Sequence, residues 1–273
     1  MPGDREAAPH RLATQQARIQ EMKRLRSVKA IIGYRLLASD GEIGSCSDFL
    51  FDDRDWVVRY MVADTGKWLP GRKVLIVPAA LGEPDWHSQL FPVNLTRQQI
   101  EHSPALDEHD PVSRQYERDY REFLGYGLYW ESTAGLDASP DSEGVLHPSP
   151  VAVPGTSPGE AASAQSHLRS VNEVRGYRVQ GSDAELGVVE DFVADDQSWA
   201  IEWLVVDTHR WLPGRKVLVS PDWTEAVDWV ERCVELTMTK DQITNSPDYD
   251  PAMPIDREYE ASLYDFYGRP KRR

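Results

Sequence analysis

The chain has 273 residues and a formal net charge of −15, with 45 acidic against 30 basic side chains. This length fits two domains that each bury a core, and the negative charge argues against general nucleic-acid binding, which needs lysine and arginine to neutralise phosphates. No apolar run is long enough to span a membrane, and the N-terminus lacks the apolar core of a secretory signal. We therefore expect an acidic cytoplasmic protein of bacterial type.

The first predicted element is a basic N-terminal arm or helix, residues 1–27. Residues 11–27 lack glycine and proline and carry apolar residues at helical spacing, which favours a helix. The apolar stripe is thin. The arm could therefore be a helix that frays or docks, or a basic segment that meets a partner or an anionic surface.

From residue 28 onward the chain repeats itself at a constant offset of 143 residues, the separation of Val28 and Val171. Residues 68–75 (WLPGRKVL) recur unchanged at 211–218, and the match needs no insertion or deletion. Duplication at this period predicts two copies of one domain. The predicted copies are 28–130 and 171–270, joined by a flexible linker, 131–170, that is rich in proline, serine, alanine and glycine.

Within each copy the dominant sequence period is two. Trp56, Val58, Tyr60 and Val62 alternate with other residues, and their counterparts in the second copy are also uncharged, so this face of a strand should meet the core. Turn residues separate several such short strands, which favours a small barrel or sandwich. In the first copy the predicted strands are 42–51, 56–63, 73–77 and 90–95.

Two helical segments complete each copy. Thr96 and Thr239 can cap helical turns at 97–102 and 240–245, each ended by a Ser-Pro pair. The predicted fold class is therefore all-β: two duplicated small antiparallel β-barrels, each with a short helical C-terminal tail packed on its outside. The predicted tails, rich in tyrosine, arginine and glutamate, are residues 112–124 and 255–267.

The two copies carry a series of short motifs in the same order. They are Gly33, 40–44 (DGEIG), 48–53 (DFLFDD), 56–64 and 73–78 in the first copy, and 183–187 (DAELG), 191–196 and 199–207 in the second. This order of motifs resembles the PRC-barrel family. The resemblance implies small β-barrels like those in the cytoplasmic part of the photosynthetic reaction centre H subunit and in the C-terminal domain of a ribosome maturation factor. It therefore implies a protein-interaction module rather than a reaction.

The sharpest local motif is the duplicated WLPGRKVL. Its Leu-Pro-Gly predicts a tight turn between two strands. The tryptophan could cover one end of a barrel, or it could form a contact surface with the arginine, since both types are enriched at interface hot spots. Arg72 could instead pair with Asp64 inside the turn. The candidate interaction residues are Trp68, Leu69, Arg72, Trp211, Leu212 and Arg215.

The other chemistry-bearing residues predict no catalytic site, no metal and no cofactor. The acidic clusters around Asp52 and Asp195 lack the spacing of a calcium-binding loop and suit turns between strands. Cys46 and Cys233 occupy non-equivalent places in the two copies, so we interpret them as small buried residues. The seven histidines make no zinc spacing, and no nucleophile motif is present.

The sequence thus predicts a non-catalytic protein-interaction or scaffold module, in which the two barrels could pack as a pseudo-dimer. Its partner would be another protein or a second copy of the chain in a homo-oligomer. The alternative is a barrel that binds a small molecule or cofactor, with a resemblance-based link to photosynthetic electron transport. That alternative requires an apolar cavity with convergent polar groups.

Overall fold

The computed structural model describes residues 25–104, 106, 112–130, 167–208, 214–253 and 255–268. These residues form two compact units. The N-terminal unit holds residues 31–54 and 59–168, and the C-terminal unit holds residues 25–30, 55–58 and 169–268, within the described ranges. None of the helices in these ranges is long and apolar enough to cross a lipid bilayer.

The described residues up to Ser170 begin with one short strand and one helical turn and contribute a six-stranded sheet. The sheet order is β5-β4-β3-β2-β6, with β7 paired to β3, and β2 runs parallel to β6. The elements are β1 (Leu25–Ser27), α1 (Val28–Ile31), β2 (Arg35–Ala38), β3 (Gly41–Asp52), β4 (Val57–Asp64), β5 (Lys73–Ile76), β6 (Leu90–Val93), α2 (Arg97–His102), α3 (Arg114–Leu124) and β7 (Leu168–Ser170).

The second copy forms a seven-stranded sheet with the order β11-β10-β9-β8-β13-β12. Strand β1 adds to this sheet on β9, and β8 runs parallel to β13. The elements are α4 (Val171–Val174), β8 (Arg178–Gln180), β9 (Glu185–Asp195), β10 (Ile201–Asp207), β11 (Lys216–Val219), β12 (Thr224–Asp228), β13 (Cys233–Leu236), α5 (Lys240–Thr244) and α6 (Arg257–Tyr267).

The prediction of two all-β antiparallel barrels is wrong. The described residues form a mixed α/β structure with two open sheets, and no closed barrel is found among them. A helix packs against a strand of the sheet in each copy. The rings of Tyr60 on β4 and Tyr120 on α3 lie 5.9 Å apart, and those of Trp203 on β10 and Tyr264 on α6 lie 5.2 Å apart. A period of two reports one buried face, and a helix can bury that face as well as closure can.

The local elements agree with the sequence. All four strands predicted in the first copy are present within a few residues of their predicted bounds, and the predicted helical tails are α3 and α6. Thr96 caps α2 in a capping box, in which its hydroxyl accepts from Gln99 N at 3.2 Å and its own N donates to Gln99 Oε1 at 2.8 Å. Thr239 forms the same box on α5.

The duplicated tryptophans Trp56 and Trp199 are both buried, as predicted. Both adopt the left-handed backbone conformation, with φ of 57° and 58°. Within the C-terminal unit, Ile201 N donates to Trp56 O at 2.7 Å and Val58 N donates to Trp199 O at 2.8 Å. A bulky residue holds this conformation only where its surroundings fix it, and here a reciprocal pair of hydrogen bonds does so.

Candidate interaction surface

The turn between β4 and β5 is held by its own backbone and by one threonine. Arg72 N donates to Leu69 O at 3.1 Å, and Gly71 has a φ of 73°, as the Leu-Pro-Gly sequence predicts. The Thr65 hydroxyl lies 2.7 Å from both Leu69 O and Arg72 O. This network fixes the turn that carries Trp68.

The Arg72 side chain joins this turn to the end of helix α2. Its Nη1 donates to Glu101 O at 2.7 Å, and its Nη2 donates to Ser103 O. The carbonyls at a helix end have no partner within the helix, so a guanidinium fork is well suited to them. Arg215 makes the same pair of bonds to Thr244 O and Ser246 O. The two candidate arginines therefore brace the fold, and Arg72 donates to this helix end rather than pairing with Asp64.

We expect Arg72→Ala to lower the free energy of unfolding by about 2 kcal/mol, because two helix-end carbonyls lose a charged donor. Thermal and urea denaturation would measure the change. Arg97→Ala is the matched control, since it removes an arginine from the same surface without uncapping a helix, and we expect it to cost less than about 1 kcal/mol. Equal losses for the two variants would contradict the bracing role of Arg72.

Trp68 lies half-exposed at the tip of this turn, beside Leu69. The Arg97 guanidinium sits over the Trp68 ring, 4.7 Å from its centroid. Arg97 is itself fixed at the start of α2, where its N donates to Asp40 Oδ1 at 2.8 Å. An aromatic ring and a stacked arginine on rigid elements form a suitable contact point for a partner. The second-copy candidates Trp211 and Leu212 lie outside the described residues.

The sequence interpretation missed a second surface feature, which occurs once in each copy. Phe123 on α3 and Phe266 on α6 are repeat equivalents, and their side chains are 46% and 41% exposed. Phe123 lies seven residues after Tyr116, so both are on one face of the helix. The Tyr116 hydroxyl donates to Pro104 O at 2.8 Å, just beyond the helix end that Arg72 braces. The offset of 143 residues would have revealed this pair of phenylalanines, but sequence alone does not show that they are exposed.

The sequence interpretation also missed a buried charged cluster beneath α3. Glu117 Oε2 accepts hydrogen bonds from the hydroxyls of Tyr129 at 2.8 Å and Tyr60 at 3.2 Å, and Arg114 Nη1 lies 3.4 Å from its Oε1. The Arg121 Nε donates to Gly127 O at 2.6 Å. Burial, together with the nearby Glu117 charge, raises the pKa of Tyr60 well above its usual value. We name Tyr60, Arg114, Glu117, Arg121 and Tyr129 the α3 cluster.

The corresponding place in the second copy is lined mainly by aromatic side chains and also holds the buried Glu260. Trp203 and Tyr264 occupy the positions of Tyr60 and Arg121, and both pack against Trp223 with ring centroids 5.9 and 6.1 Å away. Tyr267 lies closer still, 4.5 Å from Trp223. The two copies thus reach the same helix-on-sheet packing by different chemistry.

The acidic residues and cysteines have structural roles in the described part of the chain. Asp52 Oδ1 accepts from Arg54 N at 3.1 Å and Asp195 Oδ1 from Gln197 N at 2.8 Å, which confirms their role in turns. Cys46 and Cys233 are free and buried, as predicted, and burial raises the pKa of the Cys46 thiol. Across the described ranges, no group of three or more histidine, cysteine or acidic side chains is placed to hold a metal ion.

No protein-family model matches the chain, and no curated protein matches it either. Its function must therefore be inferred from the chemistry of its own surface. That surface carries an aromatic turn braced by an arginine and an exposed phenylalanine placed identically in both copies.

Proposed function

We propose that the chain is a non-catalytic protein-interaction or scaffold module that binds a protein partner through exposed apolar side chains of its two copies. One observation carries this proposal: Phe123 and Phe266 are both exposed. Of the exposed helix positions before them, Arg118 and Asp119 are replaced by alanine and serine in the second copy, while Glu122 is matched by Asp265. Single exposed apolar residues are common, but an apolar residue kept at the same exposed position in both copies favours a contact role.

The turn that carries Trp68 supports the same function in the first copy. Binding costs less when the contacting side chain is already fixed, and here Arg72 braces the turn and Arg97 stacks on the ring. Aromatic and arginine side chains at such positions supply much of the affinity of known interfaces. Trp68 and Phe123 are therefore the residues that we assign to partner contact.

A relationship to the PRC-barrel family is part of this proposal, as are a cytoplasmic location and a bacterial source. The order of the motifs in both copies supports the relationship to this family. Gly44 and Gly187 close the DGEIG and DAELG motifs, and both have a positive φ, of 122° and 145°. The same backbone solution at the same motif position favours descent of both copies from one module.

We expect the double variant Phe123→Ser/Phe266→Ser, and separately Trp68→Ala, to lose about tenfold or more in partner binding without unfolding. The full chain would be immobilised and exposed to an extract of its source cells, and the retained proteins would be quantified by mass spectrometry. Sedimentation velocity would report self-association, and circular dichroism would report folding.

Val230→Ser is the matched control, because Val230 is apolar and 89% exposed but lies on a turn outside the proposed surface. We expect it to bind like the unaltered chain. Unchanged binding and self-association in the phenylalanine and tryptophan variants, or an equal loss in Val230→Ser, would contradict the proposal.

A further inference from the structure

Residues 25–30 stand where the predicted N-terminal arm meets the first copy, yet they belong to the C-terminal unit, where residues 25–27 form strand β1. This strand runs antiparallel to β9, with Leu25 opposite Asp195, Arg26 opposite Ala194 and Ser27 opposite Val193. The sheet of the second copy is therefore completed by a segment that lies far away in the sequence. An added strand of this kind is held by main-chain hydrogen bonds and is selected by its side chains.

The buried carboxylate of Asp191 accepts hydrogen bonds from this segment, including one from Ser27. The Ser27 hydroxyl donates to Asp191 Oδ2 at 2.5 Å, and Lys29 N donates to Asp191 Oδ1 at 2.9 Å. Phe192 N donates to the same Oδ1 at 2.7 Å, and only 7% of Asp191 is exposed. Burial raises the pKa of Asp191 despite these donors, so its charged form depends on them. Without residues 27 and 29, Asp191 would lose two of these three donors.

Charge complementarity selects the two basic side chains of the segment. The Arg26 Nε lies 3.1 Å from Asp196 Oδ2, and the Lys29 Nζ lies 3.0 Å from Glu190 Oε1. The segment thus presents arginine, serine and lysine to three acidic residues of the second copy. We name Glu190, Asp191 and residues 193–196 the acceptor groove.

The Leu-Arg-Ser-Val sequence that contains β1 occurs twice in the chain. Residues 168–171 repeat the Leu-Arg-Ser-Val of residues 25–28. In the N-terminal unit, the residue just before this second motif is also bound in strand fashion, since Asp53 N donates to His167 O at 2.9 Å. Asp53 is the repeat equivalent of Asp196. The same short sequence and the same strand position are therefore matched in both copies.

We propose that the acceptor groove is a binding site for the Leu-Arg-Ser-Val segment of a second copy of this chain, so that two chains exchange β1 and form a strand-exchanged dimer. Exchange replaces each contact by an identical one, so it costs little beyond association itself. The segment of the same chain competes at an effective concentration of roughly 1 mM, so the dimer should grow as the protein concentration approaches that value. This site contains neither the exposed phenylalanines nor Trp68, so its failure and that of the proposed function are distinguishable.

The test uses two full-length variants, Arg26→Cys and Ala194→Cys, mixed under mild oxidation. Directly opposed residues of an antiparallel pair have Cα atoms about 4.5–5.5 Å apart, within the range of a disulfide. We expect a disulfide-linked dimer between positions 26 and 194 that increases with protein concentration up to about 1 mM. Adding Asp191→Ala to the acceptor chain should reduce the yield about tenfold, because Ser27 loses its acceptor.

A chain carrying both cysteine substitutions is the control, and it should form the same disulfide within itself. The proposal is overturned if this control closes while the mixture gives no linked dimer at any concentration, or if the control itself does not close. Sedimentation equilibrium of the unaltered chain gives a measurement free of substitutions. A mass that stays monomeric to about 1 mM would also overturn the proposal.

Discussion

Glu117→Gln is expected to lower the free energy of unfolding by about 3–5 kcal/mol. Glu117 is fully buried and accepts hydrogen bonds from two tyrosine hydroxyls, at 2.8 and 3.2 Å, while Arg114 lies beside its other oxygen. The amide keeps the shape of the side chain but removes the negative charge beside the buried Arg121 and the partly exposed Arg114. The substitution also replaces one carboxylate oxygen, which accepts hydrogen bonds, by an NH2 group, which donates them. That group would face other donors. Urea unfolding, followed by circular dichroism and tryptophan fluorescence, would measure the loss.

The duplication supplies a matched control in Glu260→Gln. Glu260 is the repeat equivalent of Glu117 and is also buried, but its surroundings carry Trp203 and Tyr264 in place of Tyr60 and Arg121. Because a tyrosine stands at position 264 in place of Arg121, removing the charge of Glu260 leaves no buried guanidinium at that position, and we expect a loss of about 1–2 kcal/mol. If the two variants lost equal stability, the α3 cluster would have no special role.

Much of the local structure could be predicted because its signals lie close together in sequence. The threonine caps at Thr96 and Thr239 depend on residues only three positions away, and both capping boxes form. The alternation from Trp56 to Val62 likewise identifies a strand and a face of it that is buried, although Arg59, Met61 and Ala63 on the other face are buried too. The offset of 143 residues then transfers each prediction to the second copy.

The arrangement of the strands could not be predicted in the same way. The parallel pairing of β2 with β6 and the addition of β1 to β9 join segments whose partners no local pattern specifies. Alternation also does not distinguish a sheet that closes on itself from one covered by a helix, which is why the barrel prediction failed. A register set by distant residues needs the three-dimensional structure.

The buried charges were missed for a different reason. A tail rich in tyrosine, arginine and glutamate looks like a solvated helix, because charged residues are rarely buried unless they are paired. Glu117 and Arg121 are both buried, next to partners that come from β4 and from residues 127–129. Such pairing depends on tertiary contacts, so the sequence pattern alone does not show that these two residues are buried.

Gly44→Ala is expected to cost more than about 4 kcal/mol and could prevent folding of the N-terminal unit. Gly44 has a φ of 122° at an irregularity in the pairing of β2 with β3. A Cβ atom there would lie 1.9 Å from Asp64 O and 2.9 Å from the Thr65 Cα, both of which are backbone atoms that cannot move independently of the strand. Gly187 has the same constraint, with Asp207 O at 2.1 Å. The two glycines therefore allow close approach of two backbones.

Gly33→Ala separates this close approach from backbone strain. Gly33 has a φ of 95°, but a Cβ atom there would meet nothing within 4 Å. The unfavourable backbone conformation is then the only cost of the substitution, and it should lower the free energy of unfolding by about 1–3 kcal/mol. Urea unfolding of Gly33→Ala, Gly44→Ala and Gly187→Ala should therefore place the first variant well above the other two in stability. If the three variants lost equal stability, backbone strain alone would explain why these positions are glycine. The close contacts of Gly44 with Asp64 O and of Gly187 with Asp207 O would then contribute nothing measurable.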